Sequence, residues 1–373
     1  MTLPLHGVKV VDLSTLLPGP LCTLLMAEAG ADVIKIERPA GGDEMRSYVP
    51  KAGPDSVNFG MLNRGKRSTA LDLKTEGGHA AALALIAQAD VLVEQFRPGV
   101  MTRLGLGYDE VAARNPRIIY CSITGYGQNG PKADTAAHDI NYLAETGMLA
   151  LSAGSDGAPV LPPALIADIA GGTYPAIMNI LLALRQRDLT GHGCQLDISM
   201  AEGLFTFMYW AMGQGTTGNG WPKAGAELVT GGTARYQIYR TSDDRYLAAA
   251  PLEERFWRNF TRVIGAPELA STDGLDPAVK ERVAGLIASQ TANVWVERFA
   301  GVDACTVRVI ELEEALAEPH FVQRGLFDRK VRMPGGDIIA ALPVPIADAM
   351  RVDAEVRDGP ALGASLPGFV PDV

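Results

Sequence analysis

Val8-Lys9-Val10-Val11-Asp12-Leu13 and Asp32-Val33-Ile34-Lys35-Ile36-Glu37 are two short apolar runs. Between them lie the breaker Pro18-Gly19-Pro20 and a helical pattern over residues 21–29 that stops at Gly30. Short apolar runs bounded by breakers read as buried strands. Strand, helix and strand in this order predict a right-handed parallel βαβ unit. The alternation continues outward: residues 68–73 read as a strand, 78–89 as a helix, 91–94 as a strand, 108–115 as a helix and 117–123 as a strand. This pattern predicts an open parallel α/β sheet for the first half of the chain.

Past a glycine-bearing polar loop at 125–136, residues 141–151 and 173–186 read as buried helices, 195–199 as a short strand and 200–213 as a mostly apolar helix. Glycine-rich 213–232 reads as a linker. Residues 234–239 and 245–250 then alternate like a hairpin across Thr241-Ser242-Asp243-Asp244, with helices at 253–264, 277–289 and 291–300. The expected organisation is a large α/β domain over 1–200, a linker over 201–230, a smaller α+β domain over 231–325, and a linker with a C-terminal return over 326–373.

The 373 residues are 47% hydrophobic and 20% charged, enough to bury sizeable cores. A net charge of -10 argues against a nucleic-acid binder, which needs a basic face. Cys22, Cys121, Cys194 and Cys305 lie far apart without a CxxC pair. They read as reduced, mostly buried thiols of a cytosolic protein. The N-terminus lacks a basic n-region, and the longest apolar run, 174–184, is too short to span a bilayer, so the expected location is the cytoplasm with no membrane span.

The first βα turn, Ser14-Thr15-Leu16-Leu17-Pro18-Gly19-Pro20, lacks GxGxxG, which argues against the usual dinucleotide site. Ala153-Gly154-Ser155-Asp156-Gly157 comes nearest to a nucleophile elbow but reads as a loop. His6, His79, His192 and His320 are scattered, so no metal site is expected. Arg38 and Arg97 each follow a strand, where ligands of open α/β sheets bind, and arginines there suit phosphate. Either alone equally fits a surface salt bridge. With Arg64, Lys66 and Arg67 they point to an anionic ligand.

Two pieces place ionisable groups among apolar or small residues: Ala137-His138-Asp139-Ile140-Asn141-Tyr142 and Leu165-Ile166-Ala167-Asp168-Ile169-Ala170-Gly171-Gly172. Desolvation would raise the pKa of Asp168, and a raised carboxylic acid near a histidine suits proton transfer at neutral pH. Asp168 also fits a helix cap, His138 a buried structural histidine, and Glu253 a first-turn acid of a helix. Residue chemistry leaves these alternatives open.

The whole chain resembles the class III CoA-transferases (the CaiB/BaiF family), which include formyl-CoA transferase, carnitine CoA-transferase and α-methylacyl-CoA racemase. The resemblance rests on the stretches from Leu5 to Leu13 and Gly30 to Glu37, and on Gly41-Gly42-Asp43, Asn63-Arg64-Gly65-Lys66-Arg67-Ser68, Leu71-Asp72-Leu73-Lys74, Phe96-Arg97-Pro98-Gly99 and the stretch from Thr124 to Pro131. It implies that Asp168 is the family's catalytic aspartate: a nucleophile in the transferases, a proton carrier in the racemases. His138 and Glu253 resemble the racemase histidine and its glutamate partner, although the racemases have proline where this chain has Glu254. A transferase-type glycine run is missing, with only Gly231-Gly232 near its place.

The activity implied is epimerisation at C2 of 2-methylacyl-CoA thioesters, with CoA transfer between carboxylic acids as the alternative. Arg38 and Arg97 are then expected to hold the CoA phosphates, Tyr142 to line the pantetheine or acyl channel, and the Asp139 main-chain N–H to face the enolate oxygen. No separate cofactor is expected, because CoA is part of the substrate. The resemblance also implies an interlocked homodimer in which Glu253 acts from the partner chain.

Overall fold

The computed structural model describes residues 2–154, 156–218 and 220–370; Ser155, in the loop discussed above, lies outside them. The chain forms two units. One comprises the chain up to Thr146, Pro162–Phe207 and the stretch from His320 onward; the other comprises Gly147–Leu161 and Met208–Pro319. The expected small domain, 231–325, falls almost wholly within the second unit, which also takes in 147–161 and 208–230.

The first unit is built on six parallel strands: β1 (Lys9–Asp12), β2 (Asp32–Glu37), β3 (Arg67–Ala70), β4 (Val91–Glu94), β5 (Ile119–Thr124) and β6 (Cys194–Ser199). Their order across the sheet is β3-β2-β1-β4-β5-β6. Val10 of β1 lies opposite Val33 on one side and Val91 on the other. Every residue of β4 and β5 is buried, as expected of a parallel sheet covered on both faces. Helix α1 (Pro18–Glu28) joins β1 to β2 and is buried all round, so it reads as apolar rather than amphipathic. Helices α2 (Glu76–Ile86), α3 (Tyr108–Arg114), α4 (Asp139–Glu145) and α5 (Tyr174–Thr190) follow in the later connections.

With the turn before it, α5 makes a continuous 24-residue helical stretch, Ala167–Thr190, in which an 18-residue window reaches a mean hydropathy of 1.3. Length and composition alone would suit a membrane span. Here the helix packs on β5 and β6, burying Ala176, Ile180, Ala183 and Leu184, and Arg187 near its end donates to Asp90 at 2.8 Å. One face of the helix thus serves the protein's own layer packing, while Met178, Leu181, Leu182 and Leu189 are exposed on the rest.

The sheet buries a charged cluster near the ends of β1 and β2. The Lys35 ammonium, fully buried in β2, lies 3.0 Å from Asp43 and donates to the Ser14 carbonyl at 2.6 Å. The buried Lys66 ammonium donates to Asp12, to Asn63 and to the Pro20 carbonyl. Burial pushes Asp12 up, but Lys35, Lys66 and the Ser14 and Thr23 hydroxyls outweigh it and hold the carboxyl well below its usual range.

This corrects the reading of Arg64, Lys66 and Arg67 as part of an anion site. Lys66 serves Asp12, Arg64 pairs with buried Glu28 at 2.8 Å, and Arg67 pairs with Asp32 at 2.7 Å. All three are occupied within the protein.

The helix expected over 200–213 is also broken. It consists of a short α turn (Met200–Gly203), a 3-10 turn (Leu204–Met208) and a separate helix (Tyr209–Thr216). The thiols are free, with Cys22 and Cys121 buried, but Cys305 is exposed, contrary to its reading as one of a mostly buried set.

The second unit has an antiparallel sheet of β7 (Gln237–Arg240), β8 (Tyr246–Ala249) and β9 (Thr306–Arg308), with β8 central. Helices α6 (Glu254–Val263), α7 (Pro277–Ile287) and α8 (Ala292–Phe299) cover it. Trp257 stacks on Phe260 at 5.5 Å and Phe260 on Phe299 at 5.6 Å, while the Trp257 indole N–H donates to the Leu269 carbonyl. Trp257→Ala is therefore expected to cost about 3–5 kcal/mol in the unfolding of this unit. A loss below about 1 kcal/mol by urea titration would contradict that packing.

Candidate active site

The strand order reverses direction between β1 and β4. At such a switch point the turns leaving two neighbouring strands diverge and open a crevice beyond their carboxyl ends. The turns here are Thr15 to Pro18 after β1 and Gln95 to Pro98 after β4. They line a cavity of about 480 Å³, within the roughly 300–1,000 Å³ of small-molecule sites. Gln95 links the two turns by accepting the Gly19 N–H at 3.0 Å. Glu94, buried at the end of β4, accepts the Phe96 N–H at 2.8 Å; burial pushes its carboxyl up to about 7.

His138, Tyr142, Asp168 and Arg97 line this one cavity. His138 is the N-cap of α4, with extended backbone, and its N–H donates to the Asn141 side chain at 2.9 Å. The imidazole is exposed. Tyr142 is buried, donates to the Ala137 carbonyl at 3.0 Å and packs edge-on to Tyr126 at 5.2 Å. It thereby braces the residue before His138.

Asp168 lies in the first turn of a π-helix, Ala167–Thr173, rather than capping a helix. Wide helical turns of this kind occur frequently at functional sites. The glycines beyond Asp168 explain its position. A Cβ at Gly171 would lie 2.1 Å from the Met200 carbonyl oxygen, and one at Gly203 would lie 2.7 Å from the Gly171 Cα. Only glycine at both positions lets the π-helix settle on the Met200–Gly203 turn.

The Asp168 N–H is held by the Asp139 carboxylate at 2.9 Å. Asp139 is therefore buried behind the cavity, and its side chain serves the backbone of Asp168. The Asp168 carboxyl accepts no hydrogen bond among the described residues. Burial, with a smaller push from Asp139 and against the pull of His138, raises it to about 6.

Arg38 and Glu253 fall outside this cavity lining. The Arg38 guanidinium is exposed and donates to the Gly42 carbonyl at 3.2 and 3.1 Å. Arg97 is exposed, and its guanidinium has no partner among the described residues. Glu253, in the second unit, is the exposed N-cap of α6. Its neighbour Glu254 is committed to Arg235 at 2.6 Å. Among the described residues no three His, Cys, Asp or Glu side chains group as metal ligands. Leu16, Gln95 and Met200 were not singled out from the sequence, because only the strand order brings their turns together.

The model of CoA-transferase family III matches residues 5–365 of this chain. Alpha-methylacyl-CoA racemase of Homo sapiens is 35% identical over 331 residues, 87% of this chain and 82% of that protein. Acetyl-CoA:oxalate CoA-transferase of Acetobacter aceti is 33% identical over 348 residues, 90% of this chain and 88% of that protein. The crystal structure of a CAIB/BAIF family protein from Brucella suis superposes with a TM-score of 0.83 at 29% identity, covering 97% of both chains.

Proposed function

The chain belongs to CoA-transferase family III, and from that premise we propose that it epimerises 2-methylacyl-CoA thioesters at C2. The observation that carries this reading is the placement of His138 and the raised Asp168 in one cavity. An aspartate alone would serve a transferase equally well, as its nucleophile.

The C2 proton is acidic because the thioester carbonyl takes up charge as an enolate. His138 removes that proton from one face, and Asp168 supplies one to the other; the reverse direction exchanges their roles. Acid–base assistance of this kind is worth about 10²- to 10⁴-fold. The Asp139 N–H, in the first turn of α4, has no partner within the helix, and we assign it to the enolate oxygen. Arg97 holds a CoA phosphate, and Arg38 gives a second contact through its remaining N–H groups. Arg97→Ala is expected to raise KM for the thioester roughly 10- to 100-fold with little change in kcat, from about 1.5–3 kcal/mol per charged hydrogen bond. An unchanged KM would remove Arg97 from the site.

In both directions the pair must carry one proton, so both share one bell-shaped pH profile. With His138 charged, a second proton reaches Asp168 near about 6. Activity should therefore fall below about 6, whereas an ordinary aspartate would place that limb near about 4. An acidic limb near 4 in kcat/KM would reject the raised Asp168.

Glu253 orients His138 from the partner chain of a homodimer. Co-expression of Asp168→Asn chains with Glu253→Gln chains tests this. Hybrid dimers then contain one intact site and regain activity. If Glu253 acts within its own chain, no site is intact and none returns.

Hydroxylamine trapping during turnover separates the proposed reaction from transfer. No modification at Asp168 is expected; an aspartyl hydroxamate there would establish a covalent intermediate and sink the epimerase reading.

A further inference from the structure

Leu16 lines the catalytic cavity with a left-handed backbone, φ 62°. A leucine has no polar side chain to stabilise that conformation locally, so it costs about 1–3 kcal/mol unless its surroundings impose it. The surroundings here do. The Leu16 N–H donates to Asp43 Oδ1 at 3.1 Å, an oxygen that also accepts the Met45 N–H at 3.0 Å. The other Asp43 oxygen faces the Lys35 ammonium at 3.0 Å. Lys35 in turn holds the Ser14 carbonyl at 2.6 Å, and Asp12 accepts the Ser14 N–H at 2.9 Å. The turn is thus gripped at Ser14 and at Leu16 by one buried ionic cluster.

The grip has a consequence for the cavity. Leu16 packs against a buried apolar cluster that includes Leu21 and Met45, and so does Ile169, the residue directly after Asp168. It meets the cavity from the β1 side, while Asp168 enters from the π-helix. The charged groups lining the cavity with them are Glu44, Arg97 and His138, and Asp139 stands behind Asp168.

We propose that Leu16, held left-handed by Asp43, is a positioning residue whose side chain forms the apolar wall that keeps water from the Asp168 carboxyl. The proposal rests on the reading of Asp168 as a proton carrier only for its catalytic meaning; the shielding itself is a property of the free protein.

The test is a carboxyl titration by NMR of protein carrying ¹³C-labelled aspartate, without substrate, with Asp168 identified by its loss in Asp168→Asn. Leu16→Gly and Leu16→Asn both tolerate the left-handed backbone, so the turn survives while the wall is removed or made polar. Each is expected to fold, and Asp168 should titrate well below the about 6 of the parent protein, toward the ordinary value of about 3.9. Leu16→Met keeps an apolar wall and should retain the parent titration. The acidic limb of the C2-exchange profile should move with the NMR value. A folded Leu16→Gly protein in which Asp168 titrates as it does in the parent protein overturns the proposal. If the titration moves but no variant, nor the parent, exchanges C2 protons, the shielding stands and the epimerase reading falls.

Discussion

Asp168→Asn should lower epimerisation at C2 by about 10²- to 10⁴-fold or more, with little change in affinity for the thioester. Asparagine matches the shape of aspartate but neither gives nor takes a proton at neutral pH. The fold has no need of the lost charge, because the Asp168 carboxyl accepts no hydrogen bond among the described residues. The contact that fixes the residue runs through its main-chain N–H to Asp139. Removing the charge also relieves Asp139, which pushes against it. The variant should therefore melt no lower than the parent protein while losing epimerisation in both stereochemical directions. Epimerisation within a factor of about three of the parent would show that Asp168 carries no proton in the reaction.

Lys35→Ala should cost about 3–5 kcal/mol of stability, the loss expected when one member of a buried ionic group is removed. Burial alone would depress the Lys35 ammonium, yet Asp12, Asp43 and Glu37 outweigh it and leave it above its ordinary value. Without it, Asp43 loses its cation and the Ser14 carbonyl loses its donor. The contrast is Arg67→Ala. Its ion pair with Asp32 is partly exposed, so a loss of only about 1 kcal/mol is expected. Urea midpoints for the two variants check the ranking; equal losses would contradict the account of the buried cluster.

The βαβ unit was legible because Pro18-Gly19-Pro20 and Gly30 punctuate runs that are buried on both sides. The hairpin of β7 and β8 was legible from alternation, whereas the three-residue β9 is too short to leave a pattern. Charge was the misleading signal. Lys66 and its carboxylate partner Asp12 are 54 residues apart, so in sequence the lysine looks no different from a free phosphate ligand. The proposed catalytic pair was visible in the sequence as a possible proton-transfer pair, but the geometry that brings it together was not. Their meeting depends on the strand order and on the glycine contact between Gly171 and Gly203, neither of which local patterning encodes. The left-handed backbone at Leu16 was equally hidden, since it is imposed by Asp43 rather than by the residue itself.

The central claim is that the reaction is a proton exchange at C2 and not a transfer of CoA. Incubation of the protein in D₂O with a single epimer of a 2-methylacyl-CoA thioester, and no acceptor acid, tests it directly. The account predicts deuterium at C2 together with appearance of the other epimer, the second being lost in Asp168→Asn and lowered in His138→Ala. Thioester that keeps its proton and configuration, with turnover appearing only when a second carboxylic acid is added, would contradict it.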